Sequence, residues 1–247
     1  MDPTNKNLRL VVFAAIFGIL VMPAIVWPAV YFPFILPKAM YVHLIVALTL
    51  PAYILLVQRA PEYGPTKNPL YVALTAQVLV LALTVVFAAD PHRAFWGSSE
   101  RMGGLFTFIN FFAWTTMASG TLRTWTDWRR FLNAAVIALT VWNVWGHYTR
   151  GVGEERESGF FGNAAYLGEM QIPILFMLGL LALRTPNVMW RLAYGVGAVI
   201  AAAFLVASGT RGAMLGVAAG ATVTTVAMVA LLKDRKVKLT VAGLGGG

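Results

Sequence analysis

Pro69-Leu70-Tyr71-Val72-Ala73-Leu74-Thr75-Ala76-Gln77-Val78-Leu79-Val80-Leu81-Ala82-Leu83-Thr84-Val85-Val86-Phe87-Ala88-Ala89 runs for twenty-one residues without a charged side chain. A helix rises about 1.5 Å per residue, so such a run matches the roughly 30 Å of a bilayer's hydrocarbon core. Comparable apolar runs lie near 8–27, 39–57, 103–119, 131–148, 166–183, 192–207 and 212–232, each bounded by short polar punctuation. The pattern predicts an all-α, polytopic transmembrane bundle with eight complete spans. Another apolar run starts at Val237 and reaches Gly247 after about ten residues, half the length needed to cross. It reads as the start of a ninth span, and residues 1–247 are expected to form one transmembrane domain of a longer chain.

Composition agrees with a lipid solvent. Of the 247 residues 59% are apolar and 12% charged, where soluble domains carry about 25% charged residues. With no cysteine, disulfides, thiolate nucleophiles and Cys-ligated metals are excluded. The first apolar stretch follows Lys6 and Arg9, but it is longer than a signal-peptide core and lacks an A-x-A cleavage pattern, so it reads as an uncleaved span.

The net charge of +9 has a topological explanation. Basic residues flanking spans are retained on the cytoplasmic side. With the N-terminus inside, thirteen of the nineteen Lys and Arg fall on inner segments, from Lys6 and Arg9 through Arg123, Arg129 and Arg130 to Lys238. Six fall outside: Lys38, Arg93, Arg101, Arg150, Arg156 and Arg211. They are matched there by Asp90, Glu100, Glu154, Glu155, Glu157 and Glu169. The surplus spread over several inner segments argues against a nucleic-acid groove. Trp27, Trp96, Trp125, Trp128 and Trp190 fall at span ends, where an indole prefers the interface.

Three outward constellations could carry chemistry. Phe95-Trp96-Gly97-Ser98-Ser99-Glu100-Arg101-Met102-Gly103-Gly104 leads into the fourth span. Free N–H groups at that helix start, with Arg101, could hold a phosphate; alternatively Glu100 caps the helix and Arg101 reaches lipid headgroups. Ser208-Gly209-Thr210-Arg211-Gly212 is a tight turn that leaves Arg211 close to bilayer depth. A lone Arg there is costly and calls for a polar partner, an anionic ligand or a headgroup. Gly212, Gly216 and Gly220 follow at four-residue spacing, a packing stripe. The segment Glu154 to Glu169 contains Gly159-Phe160-Phe161-Gly162-Asn163-Ala164-Ala165-Tyr166-Leu167, and Glu169 lies inside a span, either as a functional carboxylate or as the partner of Arg211 or Arg150. His43, His92 and His147 stand alone in the sequence, and no metal-binding or nucleotide-binding motif is present.

Phe95-Trp96-Gly97-Ser98 with Glu100-Arg101-Met102-Gly103-Gly104, then Gly159-Phe160-Phe161-Gly162-Asn163 with Tyr166-Leu167, then Ser208-Gly209-Thr210-Arg211-Gly212 resemble, in order and side, the bacterial O-antigen ligases, O-antigen polymerases and protein O-oligosaccharyltransferases. One departure is Asn163-Ala164-Ala165, where that family often has Asn-Pro-Asn. The resemblance implies a GT-C-like integral glycosyltransferase of the bacterial inner membrane. Such an enzyme takes a glycan from undecaprenyl diphosphate at the periplasmic face and passes it to an acceptor hydroxyl on lipid A core, polysaccharide or protein. It implies no cofactor and no metal, arginines neutralising the diphosphate instead. Arg101 and Arg211 match the motif arginines and are the expected diphosphate ligands, with Glu100, Asn163 and Glu169 as candidate supporting residues. The family's catalytic histidine lies in a later periplasmic loop, so the base is expected beyond Gly247 and this stretch is expected to be inactive alone. Two other classes stay open: a secondary transporter or lipid flippase, which would place ionisable residues near the midplane, and a non-catalytic scaffold built on the glycine stripe.

Overall fold

The computed structural model describes residues 2–66, 68–98, 100–151 and 155–231. Among them the chain is all helical: α1 (Pro3–Gly18), α2 (Leu36–Arg59), α3 (Pro69–Val86), α4 (Pro91–Trp96), α5 (Leu105–Thr121), α6 (Trp125–Gly146), α7 (Ala164–Arg184), α8 (Val188–Ala207) and α9 (Arg211–Leu231). A 3-10 segment, Ile19–Ala24, continues α1, and a π-helical turn, His147–Gly151, ends α6. Among the described residues six segments are long and apolar enough to cross a membrane: Pro3–Ala24, Leu36–Arg59, Pro69–Val86, Ala164–Arg184, Val188–Ala207 and Arg211–Ala230. The protein is thus a multi-pass helical membrane bundle. The other two expected spans are helices too, but α5 has only 17 residues, and α6 places Asp127, Arg129 and Arg130 in its first two turns. The expected ninth span and the basic residues after Leu231 lie outside the described residues.

The chain forms two compact units, Met1–Trp142 and Asn143–Gly247. In the first, α1, α2 and α5 share a core of Val12, Ile16, Val42, Val46, Tyr53, Met117 and Leu122, with Phe131 of α6. The i, i+4 spacing of Val12 with Ile16 and of Val42 with Val46 puts each pair on one helix face. Gly120 lets α5 approach α2 closely, because a side chain there would strike the Tyr53 hydroxyl. That hydroxyl donates to the Tyr63 carbonyl at 3.0 Å. Pro23 lacks the N–H that a 3-10 turn would offer to the Leu20 carbonyl. The indole of Trp142 donates to that carbonyl instead, at 2.9 Å.

A capping box starts α6. The Asp127 N–H donates to Thr124 Oγ1 at 3.1 Å, and Asp127 Oδ2 accepts from the Thr124 N–H at 3.2 Å and from its hydroxyl at 2.8 Å. Arg9 of α1 reaches the same oxygen at 3.6 Å.

In the second unit α7 packs on α8 and α9. Gly216 and Gly220 of α9 face Ile172 and Phe176 of α7, so two members of the glycine stripe serve packing. Buried Gln171 accepts from Asn143 Nδ2 at 3.1 Å and donates to the Leu167 carbonyl at 2.8 Å.

Asp127 yields a test. Burial, at 6% exposure, opposes its charged form, but the hydrogen bonds from Thr124, the Arg9 guanidinium and the Arg123 backbone outweigh it and hold the carboxyl below its ordinary value. A depressed carboxylate stabilises the fold above its unfolded pKa and loses that contribution as pH falls through the folded value. Asp127→Asn should therefore melt lower than wild type at neutral pH, by about 1 kcal/mol. Thermal melts in detergent should show the two converging as pH falls below the ordinary carboxylate range; a gap that stays constant from neutral pH through that fall would contradict the assignment.

Candidate functional site

Arg101 sits on a loop that two glycines, Gly97 and Gly104, close by backbone contact. Asp90 caps α4 by accepting from the Arg93 N–H at 2.9 Å, with Pro91 at the first helical position. After α4, Gly97 turns at φ +84°, and a Cβ there would lie 2.6 Å from the backbone nitrogens of Gly103 and Gly104. A Cβ on Gly104 would run into the backbone of Phe95, Trp96 and Gly97. Between these glycines, the Arg101 and Met102 amides both donate to the Ser98 carbonyl, at 3.1 and 2.7 Å. Phe95 and Trp96 pack on Phe106 of α5, with ring centroids 6.1 and 5.1 Å apart.

The loop faces α2 across a cleft of about 300 Å³. Arg101 of the loop and Lys38 of α2 supply positive charge; Met22, Phe34, Phe108 and Phe111 supply apolar wall. The Arg101 side chain is exposed and makes no hydrogen bond or ion pair among the described residues. Gly104 at the start of α5 offers no side-chain cap, so the reading in which Glu100 caps this helix is not realised, and Glu100 stays exposed. His43 lines the same cleft. Thr107 spends its only proton on the Met102 carbonyl, so it accepts from His43 Nε2 at 3.1 Å. That fixes the histidine ring, with Nε2 as the donor. The cleft thus combines two cations, a fixed imidazole and an apolar wall, which suits an amphiphile with an anionic head.

In the second unit Arg211 opens α9, exposed and with no side-chain partner among the described residues. Its position follows from the turn before it: Ser208 ends α8 and Gly209 takes φ +60°. Asn163 caps α7, accepting from the Ala165 N–H at 2.8 Å. Gly168 packs against Ser208 and Thr210, which brings the start of α7 to the α8–α9 turn. Glu169 is exposed and pairs with neither Arg211 nor Arg150 among the described residues.

The ionic pairing here involves residues the sequence did not single out. Arg156 donates through Nε to the Ser208 carbonyl at 3.0 Å and through Nη2 to Thr210 Oγ1 at 3.3 Å. It caps the carbonyl end of α8, where a cation is favoured by the helix dipole. Glu157, 5% exposed, holds His147 Nδ1 at 2.7 Å through Oε2, while its buried Oε1 has no partner among the described residues. A carboxylate on Nδ1 orients an imidazole and leaves Nε2 for an outside group. The visible signal was an acidic run ten residues after a histidine, with a π-helical turn at His147 that only the structure shows. Arg101 and Glu100 belong to the first unit; Asn163, Glu169 and Arg211 belong to the second.

Replacing Gly104 tests how the loop is held. Gly104→Ala should force Gly97 and Gly104 apart and expose the first turn of α5. Amide exchange at Thr107 and Phe108 should then accelerate roughly tenfold, about 1.4 kcal/mol of protection, while Met117 in the core stays protected.

Comparison with known proteins finds no matching family model, no matching curated protein and no matching solved structure.

Proposed function

We propose that this protein is a membrane glycosyltransferase of the O-antigen ligase type, with a GT-C-like architecture and its N-terminus in the cytoplasm. It accepts an undecaprenyl-diphosphate-linked glycan at the periplasmic face of a bacterial inner membrane and passes the glycan to an acceptor hydroxyl. One observation carries the reading: Arg101, whose side chain makes no hydrogen bond or ion pair among the described residues, shares a largely apolar cleft with Lys38. A polyprenyl diphosphate has the matching form, a compact anion on a long hydrocarbon. The motif blocks around Arg101, Asn163 and Arg211 support the same conclusion.

The chemistry assigns a role to each group. In transfer, the bond from the sugar's anomeric carbon to the diphosphate oxygen breaks, and a bond to the acceptor oxygen forms. The electron pair leaves on the diphosphate, and the acceptor proton goes to a base. Guanidinium and ammonium groups stabilise the leaving anion because they are in place before the charge develops. Arg101 makes the bidentate contact to phosphate oxygens that a guanidinium allows, and Lys38 adds a point charge. In the second unit, Arg211 is the other exposed arginine that the motif blocks assign to phosphate.

Binding and transfer separate the parts of this reading. With the protein in nanodiscs, a short-chain polyprenyl diphosphate should bind about tenfold more weakly to Arg101→Ala and to Lys38→Ala, the loss of one charge-assisted hydrogen bond each. Unchanged affinity in both variants removes the cleft from the site. In membranes containing the protein and a labelled undecaprenyl-diphosphate glycan, undiminished transfer by Arg211→Ala removes that residue from the mechanism.

A further inference from the structure

The first unit holds a second cationic cleft at the other end of α1. About 280 Å³ in volume, it lies between α1 and α6 and is lined by Lys6, Asn7, Arg9 and Leu10 of α1's early turns, Phe13, and Asp127 and Arg130 of α6. The cleft for Arg101 adjoins Met22, at the far end of the same helical rod, so the two sites are distinct.

Charge accounting shows a surplus. Asp127 is the only carboxylate in the lining, and its Oδ2 is already taken by Thr124 and by Arg9. Asp2, nearby in sequence, pairs with Arg59 at 3.7 Å. Lys6 and Arg130 are exposed and find no partner among the described residues. Arg9 keeps a buried Nε without an acceptor among the described residues, although its guanidinium lies 5.7 Å from the Tyr63 ring centroid. Donors therefore outnumber acceptors along an open cleft, and an anion would satisfy them.

The remaining wall decides what kind of anion. Leu10 is 64% exposed on a helix apolar enough to cross a membrane, one residue from Arg9 and four from Lys6. Phe13 continues that wall on the next turn. A free phosphate would gain nothing from these side chains, whereas a lipid would lay its glycerol and first methylenes along them. Basic pockets between membrane helices take phospholipid headgroups for this reason. A basic flank that only sets topology needs charge count alone; here two helices far apart in sequence bring three cations to one cleft.

We propose that this cleft binds the phosphodiester of an anionic phospholipid, with Lys6, Arg9 and Arg130 on the phosphate and Leu10 and Phe13 on the hydrocarbon. The site does not depend on the glycosyltransferase reading.

The test uses nanodiscs of phosphatidylcholine with or without phosphatidylglycerol, with retained lipid counted by native mass spectrometry. Lys6, Leu10 and Arg130 are exposed, so their substitution leaves the packed core intact. Measured in an Arg101→Ala background to silence the other cleft, Lys6→Gln and Arg130→Gln should each weaken phosphatidylglycerol retention about fivefold, and the pair roughly twentyfold. Leu10→Ser should weaken lipid retention without changing displacement by inorganic phosphate. Retention that is unchanged in the Lys6→Gln/Arg130→Gln pair overturns the proposal. So does inorganic phosphate that displaces the lipid at equal concentration, which would mark a free-anion site.

Discussion

In hydrocarbon a backbone N–H or C=O has no water to turn to, and each one left unpaired costs several kcal/mol. The helical ladders meet most of that requirement, and side chains fill gaps in them. Trp142 reaches the Leu20 carbonyl that Pro23 cannot serve. The Tyr41 hydroxyl donates to the Gly18 carbonyl at 2.9 Å, where α1 tightens into its 3-10 end. Thr49, Thr75, Thr115 and Thr116 turn their hydroxyls back to the carbonyl four residues earlier, so each polar group disappears into its own helix. Against that background the cations without a side-chain partner among the described residues lie away from the helix middles: Lys6 and Arg130 in the first two turns of α1 and α6, Arg101 on the α4–α5 loop and Arg211 at the start of α9.

The same constraint explains which features were legible in the sequence. Long apolar runs have one economical solution in lipid, so each of the eight complete spans expected contains a helix. Membrane-crossing character was less legible where a run is short or polar, as in α5 and α6. The glycines around Arg101 and Arg211 could be read because a tight turn demands them locally: Gly97 and Gly209 both take positive φ. Long-range pairings could not be read. Lys38 lines the same cleft as Arg101, more than sixty residues away in sequence, and nothing local to either residue encodes that. Glu157 was one of several acids in a run, and burial against His147 singles it out. Glu169 shows the converse: a carboxylate inside an apolar run suggests a functional group or a partner for Arg211 or Arg150, and the helix leaves it exposed and paired with neither among the described residues.

Partner accounting also sorts arginines that the sequence treats alike. Arg156 spends its donors on the carbonyl end of α8 and on Thr210, so it holds a turn together. Arg9 is committed in part to Asp127. Arg123 donates to the Gly64 carbonyl at 2.8 Å. Arg101 and Arg211 have no such commitment among the described residues. An arginine already bound to a carboxylate must break that bond before it can receive an anion, which cancels much of the gain.

An uncommitted arginine on a loose loop would still bind weakly, because ordering it would consume the energy released. The loop around Arg101 avoids this. Gly97, Gly103 and Gly104 pack backbone on backbone, and the Arg101 amide is tied to both the carbonyl and the hydroxyl of Ser98. Phe95 and Trp96 anchor its entry on Phe106, and Thr107 anchors its exit on the Met102 carbonyl. The backbone is therefore fixed while the guanidinium remains available. For a leaving group that gains charge only as its bond breaks, that combination matters more than affinity for the resting lipid, since a donor fixed in advance need not reorganise as the charge appears.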